Sequence, residues 1–243
     1  ASARYPQHYL AIRNLTREHH AELIDGLTSQ GFVALPARVI YEFKAPAQSN
    51  FGEGVDGGVA RRPSHLSRDL KLLTKSGLLV SRPVTVDAYQ AERLRAWYER
   101  IYLKKHSQLN AQYTADFFLG VINEGLMELL VLEQQGEWLG FALIYRRGNV
   151  ATVPALGYGE PCELLGGYRL IFAAIYGQTV GQGLLLNYSS GAGDFKRKRG
   201  GQPLLEYTLL RAPAASRYRR RLLLWLADRL SRIQAGDLIR RGA

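Results

Sequence analysis

The densest set of groups able to do chemistry lies between Leu184 and Tyr207, LLLNYSSGAGDFKRKRGGQPLLEY. A short apolar run, Leu184 to Leu186, opens into Asn187, Ser189 and Ser190, then into two glycines flanking Ala192. The cationic run Lys196-Arg197-Lys198-Arg199 follows, then Gly200-Gly201, and a second apolar stretch carries Glu206 and Tyr207. Fixed cations beside neutral hydroxyl and amide groups suit a phosphate-bearing ligand, or a reaction in which oxyanion charge develops. Lys196 and Arg199 are the candidate catalytic cations and Glu206 a candidate acid or base. Arg197 and Lys198 are candidates to hold phosphate, and Asn187, Ser189, Ser190 and Tyr207 to line a substrate pocket.

Two further groups stand upstream. Arg61, Arg62, His65, Arg68, Lys71 and Lys75 crowd one short segment. Ser64 is placed to cap a helix there and Gly77 to end it. Arg68, Lys71 and Lys75 then share one face, which either contacts phosphates, together with Arg61 and Arg62, or is simply solvated. Further on, Tyr98, Tyr102 and His106 fall at i, i+4 and i+8 of a helical pattern. Such stripes usually pack a core; here the alternative is a substrate-facing pair, Tyr98 and Tyr102, with His106 as a candidate base. His19-His20 lacks a third ligand at metal-binding spacing, and no metal site is expected. A single cysteine, Cys162, excludes an intramolecular disulfide and a cysteine-based zinc cluster.

Composition bounds the rest. A hydrophobic fraction of 47% with 22% charged residues is that of a globular chain. The net charge of +11 points to polyanionic partners such as nucleic acid, anionic membrane, nucleotides or coenzyme A, although freely used surface arginine gives the same sum. No apolar run approaches the roughly 20 residues that span a bilayer, and no signal peptide opens the chain. The expectation is a cytoplasmic protein with no membrane partner. An opening Ala1 rather than Met suggests a trimmed chain or a domain cut from a longer polypeptide.

The elements that must position these groups follow from pattern. Residues 1–30 contain a helix capped near Thr16, then two strands, Phe32 to Leu35 and Val39 to Phe43, split by Pro36. Asn50 to Gly58 reads as a loop without a phosphate-binding fingerprint. Short strands are expected at Leu78 to Val80 and Val84 to Val86. Asp87 caps a helix through the tyrosine stripe, and Thr114 caps another. The second half is cleaner. Met127 to Leu132 pairs through a Gln134-Gln135-Gly136-Glu137 turn with Trp138 to Tyr145, and a third strand covers Val150 to Leu156. An apolar helix from Glu163 to Val180 then feeds the strand Leu184 to Leu186, a short basic helix and the strand Leu204 to Leu210. Ser216 to Ile233 closes as a helix.

That order resembles a GNAT-type acyltransferase domain. The run GYRLIFAAIYGQTVGQGLLLNYSSGAGDFKRKRGGQPLLEY is similar to GNAT-like domains of the cellulose-operon and Fem-type transferases. The matching positions are the turn Ser189 to Gly193, Phe195-Lys196-Arg197, Arg199-Gly200 and Glu206-Tyr207. WYERIYLKKHSQLN resembles the helix joining the two halves of such proteins, so the resemblance covers about Trp97 to Leu210. It implies an α/β (α+β) fold with a mostly antiparallel sheet flanked by helices. Residues 96–243 would be the acyltransferase half, and 1–95 a degenerate GNAT-like half or a cap. The pyrophosphate-cradling loop of acetyl-CoA enzymes, Arg/Gln-x-x-Gly-x-Gly/Ala, is missing from Tyr158 to Gly167. Fem-type relatives also lack it and take aminoacyl-tRNA as donor. The resemblance therefore implies amide formation between a tRNA-borne amino acid and a small amine, as in peptide or phosphonate antibiotic assembly, with no bound cofactor. Tailoring chemistry of that kind suits a chain fused to, or acting with, other biosynthetic domains. An N-acyltransferase using acyl-CoA or an acyl-carrier protein, and a noncatalytic module that binds RNA or another polyanion, stay open.

Overall fold

A computed structural model describes residues 4–45, 63–213 and 217–240. Arg61, Arg62 and the loop from Asn50 to Gly58 lie outside the described residues. The elements are β1 (Leu10–Thr16), α1 (Arg17–Ser29), β2 (Val33–Phe43), α2 (Ser64–Lys75), β3 (Leu79–Ser81), α3 (Ala88–Glu99) and α4 (Ala115–Asn123). They continue with β4 (Glu128–Gln134), β5 (Glu137–Arg147), β6 (Val150–Tyr158), α5 (Glu160–Leu164), α6 (Gly167–Gln178), β7 (Leu185–Asn187), α7 (Gly193–Arg197), β8 (Gln202–Arg211) and α8 (Arg217–Arg240). The strands make one eight-stranded sheet in the order β1-β8-β2-β7-β6-β5-β4-β3. β6 and β7 pair in parallel, whereas β1–β8, β2–β7, β3–β4, β4–β5 and β5–β6 pair antiparallel. This is the expected α/β class with a mostly antiparallel sheet.

The chain forms two compact units. One comprises residues 1–41, 189–193 and 202–243; the other comprises 42–188 and 194–201. In the first, Leu15, Ile24, Phe32 and Leu209 bury the inner face of α1 against β1 and β8. Leu223 of α8 packs on Val33 and Leu35 of β2. In the second, α3 and α4 cover the β4–β5–β6 meander through Leu94, Tyr98, Phe118, Ile122, Val131, Phe141 and Ala155.

Local chemistry sets the element ends. Asp87 caps α3 through a reciprocal capping box: its carboxylate accepts from Gln90 N at 2.7 Å while Gln90 Oε1 accepts from Asp87 N at 3.0 Å. Thr114 Oγ1 accepts from Phe117 N at 3.1 Å to start α4. Gln135 and Gly136 both take positive φ, 52° and 82°, as the tight β4–β5 hairpin requires.

Several elements differ from the sequence expectation. Pro36 does not split β2, because within β2 only Glu42 and Phe43 pair with β7, so that edge of β2 carries no ladder at the proline. Val84 to Val86 is not a strand. The crossover helix is broken into α5 and α6 at Gly166, which adopts φ 93°. Ser64 is the first residue inside α2, and Pro63 occupies the cap position.

One close approach in the second unit has a large expected consequence. A Cβ on Gly157 of β6 would stand 2.7 Å from the Trp97 carbonyl carbon and 2.8 Å from the Tyr98 backbone nitrogen. Neither backbone atom can swing away. Gly157→Ala should therefore lower the urea midpoint by the equivalent of about 1–3 kcal/mol, as overpacking does.

Candidate active site

The site is assembled in the larger unit, where the β6–β7 ladder stops early. It runs only from Val150↔Leu185 to Thr152↔Asn187, while β6 continues to Tyr158. Beyond Asn187 the chain turns at Tyr188 and later returns as α7, whose basic run divides by face. Lys196 and Arg199, three residues apart, point inward and are almost wholly buried. Lys198 is exposed, and its Nζ lies 2.8 Å from Asp194; half-buried Arg197 lies 3.8 Å from the same carboxylate. Four consecutive cations thus serve two purposes. Gly200 and Gly201 make the return possible: Gly200 has φ 90°, and a Cβ on Gly201 would meet the Phe43 ring at 2.8 Å.

Lys196 enters an aromatic box. Its Nζ donates to the Tyr188 carbonyl at 2.6 Å and lies 4.9 Å from the Tyr188 ring centroid. Tyr188 packs against Phe172 at 5.3 Å and Phe43 at 6.4 Å, and Tyr168 packs on Phe195 at 4.7 Å. Burial pushes the Tyr188 hydroxyl well above the usual phenol range, with Tyr168 and Tyr102 reinforcing it. Tyr168 is pushed up to about 12, again by burial first. These hydroxyls are therefore neutral at physiological pH and do not act as bases. Tyr102 comes within electrostatic reach of Tyr168, so one of the two tyrosines singled out by spacing adjoins the Lys196 region.

Behind Arg199 stands a residue absent from the sequence candidates. Asp69 of α2, fully buried, accepts from Arg199 Nε at 2.5 Å and from Arg169 Nε of α6 at 2.7 Å. Arg199 also donates to the Phe195 carbonyl at 2.9 Å, and its guanidinium carbon lies 3.4 Å from the Phe195 ring centroid. One carboxylate between two guanidiniums leaves a net positive charge, fixed in position, with the Arg169 side chain partly open to solvent. A signal was available: Asp69 is the only acid between Arg61 and Lys75, and it falls three residues after the core residue Leu66.

The two basic segments of the sequence also meet. His65 of α2 feels Arg68 from its own helix together with Arg199 and Lys198 from the α7 region. Arg68 is steadied by Ser64, donating to its carbonyl at 3.3 Å and to its hydroxyl at 3.4 Å. Lys71 and Lys75 continue the exposed cationic face along α2. Burial first, then Arg68, Arg199 and Lys198, hold the His65 imidazole below its usual pKa, with Asp69 opposing. An anionic ligand seated here cancels part of that repulsion and raises the imidazole again. Adding a polyanionic ligand should thus move the His65 NMR titration to higher pH, and its affinity should increase severalfold as pH falls from about 7.5 to about 5.5.

The remaining predicted residues lie elsewhere. Asn187 ends β7, paired with Glu42 and Thr152. Ser189 and Ser190 belong to the smaller unit, in a turn where Ser189, Gly191 and Ala192 take φ 56°, 79° and 46°. Two non-glycine residues held in the left-handed region mark stored backbone strain. Glu206, also in the smaller unit, is buried and accepts from Arg38 at 2.8 and 3.4 Å, and Tyr207 packs beside Leu209. The tyrosine stripe does not continue to His106. A π-helical turn, Arg100–Lys104, follows α3, and Ser107 N bonds back to Tyr102 O. That extra residue rotates His106 off the Tyr98–Tyr102 line and leaves it exposed. Tyr98 stacks on Tyr102 at 4.6 Å and donates to the Ala111 carbonyl at 2.9 Å. Burial pushes the Cys162 thiol up to about 11, so it is inert. Among the described residues, no three His, Cys, Asp or Glu side chains gather as a metal site. No described helix is long and apolar enough to cross a membrane.

No family model and no curated protein sequence matches the chain. Solved structures do. The C-terminal domain of a putative lysylphosphatidylglycerol synthetase from Agrobacterium fabrum is similar at TM-score 0.61 and 14% identity, over 93% of this chain and 74% of that one. L-PGS from Bacillus licheniformis gives TM-score 0.62 and 14% identity, over 93% and 75%. FemX gives TM-score 0.58 and 9% identity, over 82% and 71%. With the sheet order and the short parallel β6–β7 ladder described above, these likenesses show that the chain shares the fold of these structures, the GNAT-like fold expected from the sequence.

Proposed function

We propose that the chain is an aminoacyl-tRNA-dependent transferase that joins the tRNA-borne amino acid to a small amine through an amide bond. One observation carries this: a buried ammonium, Lys196, and a carboxylate-anchored guanidinium, Arg199, stand beside a cationic edge made by His65, Arg68 and Lys198. A buried cation pair favours developing oxyanion charge, and an exposed cationic edge favours a phosphate chain. An aminoacyl ester at the 3′ end of an RNA presents both needs within a few ångströms. The Fem-type resemblance supplies the donor class.

In this reading the neutral amine attacks the ester carbonyl carbon. The C–N bond forms, the carbonyl oxygen takes the negative charge, and the C–O bond to the ribose then breaks. The amine proton passes to the departing ribose oxygen, through the substrate's own groups. Lys196 stabilises the oxyanion. Arg199, locked by Asp69 and stacked on Phe195, holds its charge close by without needing to reorganise. Arg68, Lys198 and the protonated form of His65 bind the acceptor-end phosphates, and Lys71 and Lys75 extend that track. Tyr102, Tyr168 and Tyr188 bound the amino-acid side with neutral hydroxyls.

The test uses a pool of tRNAs charged with labelled amino acids and a set of small amines, with products read by mass spectrometry. New amides that appear only with charged tRNA support the function. A pool left intact with every amine, in the presence of tight tRNA binding, would reduce the chain to an RNA-binding module.

A further inference from the structure

Helix α8 has two apolar faces, and only one is used. Leu223, Ala227 and Leu230 turn toward Val33, Leu35 and Leu210 in the smaller unit. Leu222, Trp225, Leu226 and Ile233 lie at i, i+3, i+4 and i+11, with Tyr218 one turn earlier, so they form a second stripe along the helix. That stripe is solvent-exposed: Tyr218 by 76%, Trp225 by 55% and Ile233 by 58%. From Tyr218 to Ile233 it is about 22 Å long. Single exposed apolar residues are ordinary, but five on one helix face, interrupted only by Arg229, call for an occupant.

The surrounding charge identifies that occupant. Arg221 and Arg232 flank the stripe on one side, Arg219 lies on the other, and Arg229 sits within it, 5.6 Å from the Trp225 ring. Asp228, the one acid from Arg217 to Ile233, is engaged by Arg232 at 2.7 Å. Arg219 lies 5.8 Å from the ring of Tyr9, itself exposed, which widens the aromatic edge. A second copy of the chain would bring arginines against arginines. An RNA would satisfy the arginines but leave the leucines and Ile233 in water. A surface that is apolar beneath a layer of negative charge satisfies both. Tryptophan and tyrosine favour that boundary, and arginine stems reach out of it to phosphate.

We infer that α8 is an interfacial helix by which the chain lies on an anionic lipid bilayer, without crossing it. The stripe enters the headgroup boundary, and the flanking arginines pair with headgroup phosphates. The inference is independent of the transfer reaction, since it rests on residues that take no part in the Lys196 site.

The test is sedimentation of the full chain with vesicles of phosphatidylglycerol and phosphatidylcholine at about 3:7, against phosphatidylcholine alone. The expected result is sedimentation with the anionic vesicles only, accompanied by a blue shift of tryptophan emission that is absent in Trp225→Phe. Leu222→Ser with Trp225→Ser should weaken vesicle binding by at least about tenfold, and Arg221→Gln with Arg229→Gln by about tenfold. All four positions are exposed, so the fold should survive, as checked by an unchanged urea midpoint. Failure to sediment with anionic vesicles would overturn the inference, as would equal sedimentation of the wild type and the Leu222/Trp225 variant. It would also fall if that variant abolished self-association or weakened tRNA binding while vesicles were never bound.

Discussion

Asp69→Ala should destabilise the larger unit by about 3–5 kcal/mol, the usual cost of removing one partner from a buried ion pair. The asymmetry of the bridge explains why. Arg169 is partly exposed and can return to water, whereas Arg199 is almost fully buried and would be left with only the Phe195 carbonyl and ring. Equilibrium urea unfolding measures this directly. Asp69→Asn keeps a hydrogen-bond acceptor and should cost less. Arg169→Ala, which removes only the half-solvated partner, should cost about 1 kcal/mol or less. Replacing both buried partners, Asp69→Leu with Arg199→Met, should recover much of the stability without recovering activity, because apolar residues can substitute for a buried pair energetically. A wild-type midpoint for Asp69→Ala would mean that the bridge does not hold Arg199.

Lys196→Ala should lower kcat by about 10²–10³-fold while changing KM little, the pattern expected when a donor acts on charge that exists only in the transition state. The side chain is buried beside Tyr188, with its Nζ bonded to the carbonyl of that residue, so its position is fixed before substrate arrives. Lys196→Arg should not rescue the reaction. A planar guanidinium cannot occupy the place of a compact ammonium within the box of Tyr188, Phe172 and Phe195. Comparing urea midpoints separates loss of chemistry from loss of fold. A rise in KM with kcat unchanged would move Lys196 from oxyanion stabilisation to donor binding.

Legibility in the sequence tracked locality. The β4–β5–β6 meander was readable because short apolar runs and a Gln-Gly turn are written within a few residues. The α3 and α4 caps were readable for the same reason. β1 was not, since Asn14 takes φ 63° and the β1–β8 register slips between Ile12 and Leu15, which breaks the alternation that would mark a strand. The basic run Lys196 to Arg199 was visible as charge, but its division into inward and outward pairs depends on where α7 lies. The partnership of Asp69 with Arg199 joins residues 130 positions apart, and that of Arg38 with Glu206 joins residues 168 apart. Neither spacing carries a periodic signal. His106 was placed by counting α-helical turns, and one π turn was enough to move it away.

The most direct measurement of the central claim is single-turnover transfer from one labelled aminoacyl-tRNA to an amine acceptor, run with and without RNase pretreatment and with acyl-CoA as the competing donor. The account predicts amide product from the intact charged tRNA, its loss after RNase treatment, and no product from acyl-CoA. Product that survives RNase treatment and depends on acyl-CoA would contradict it.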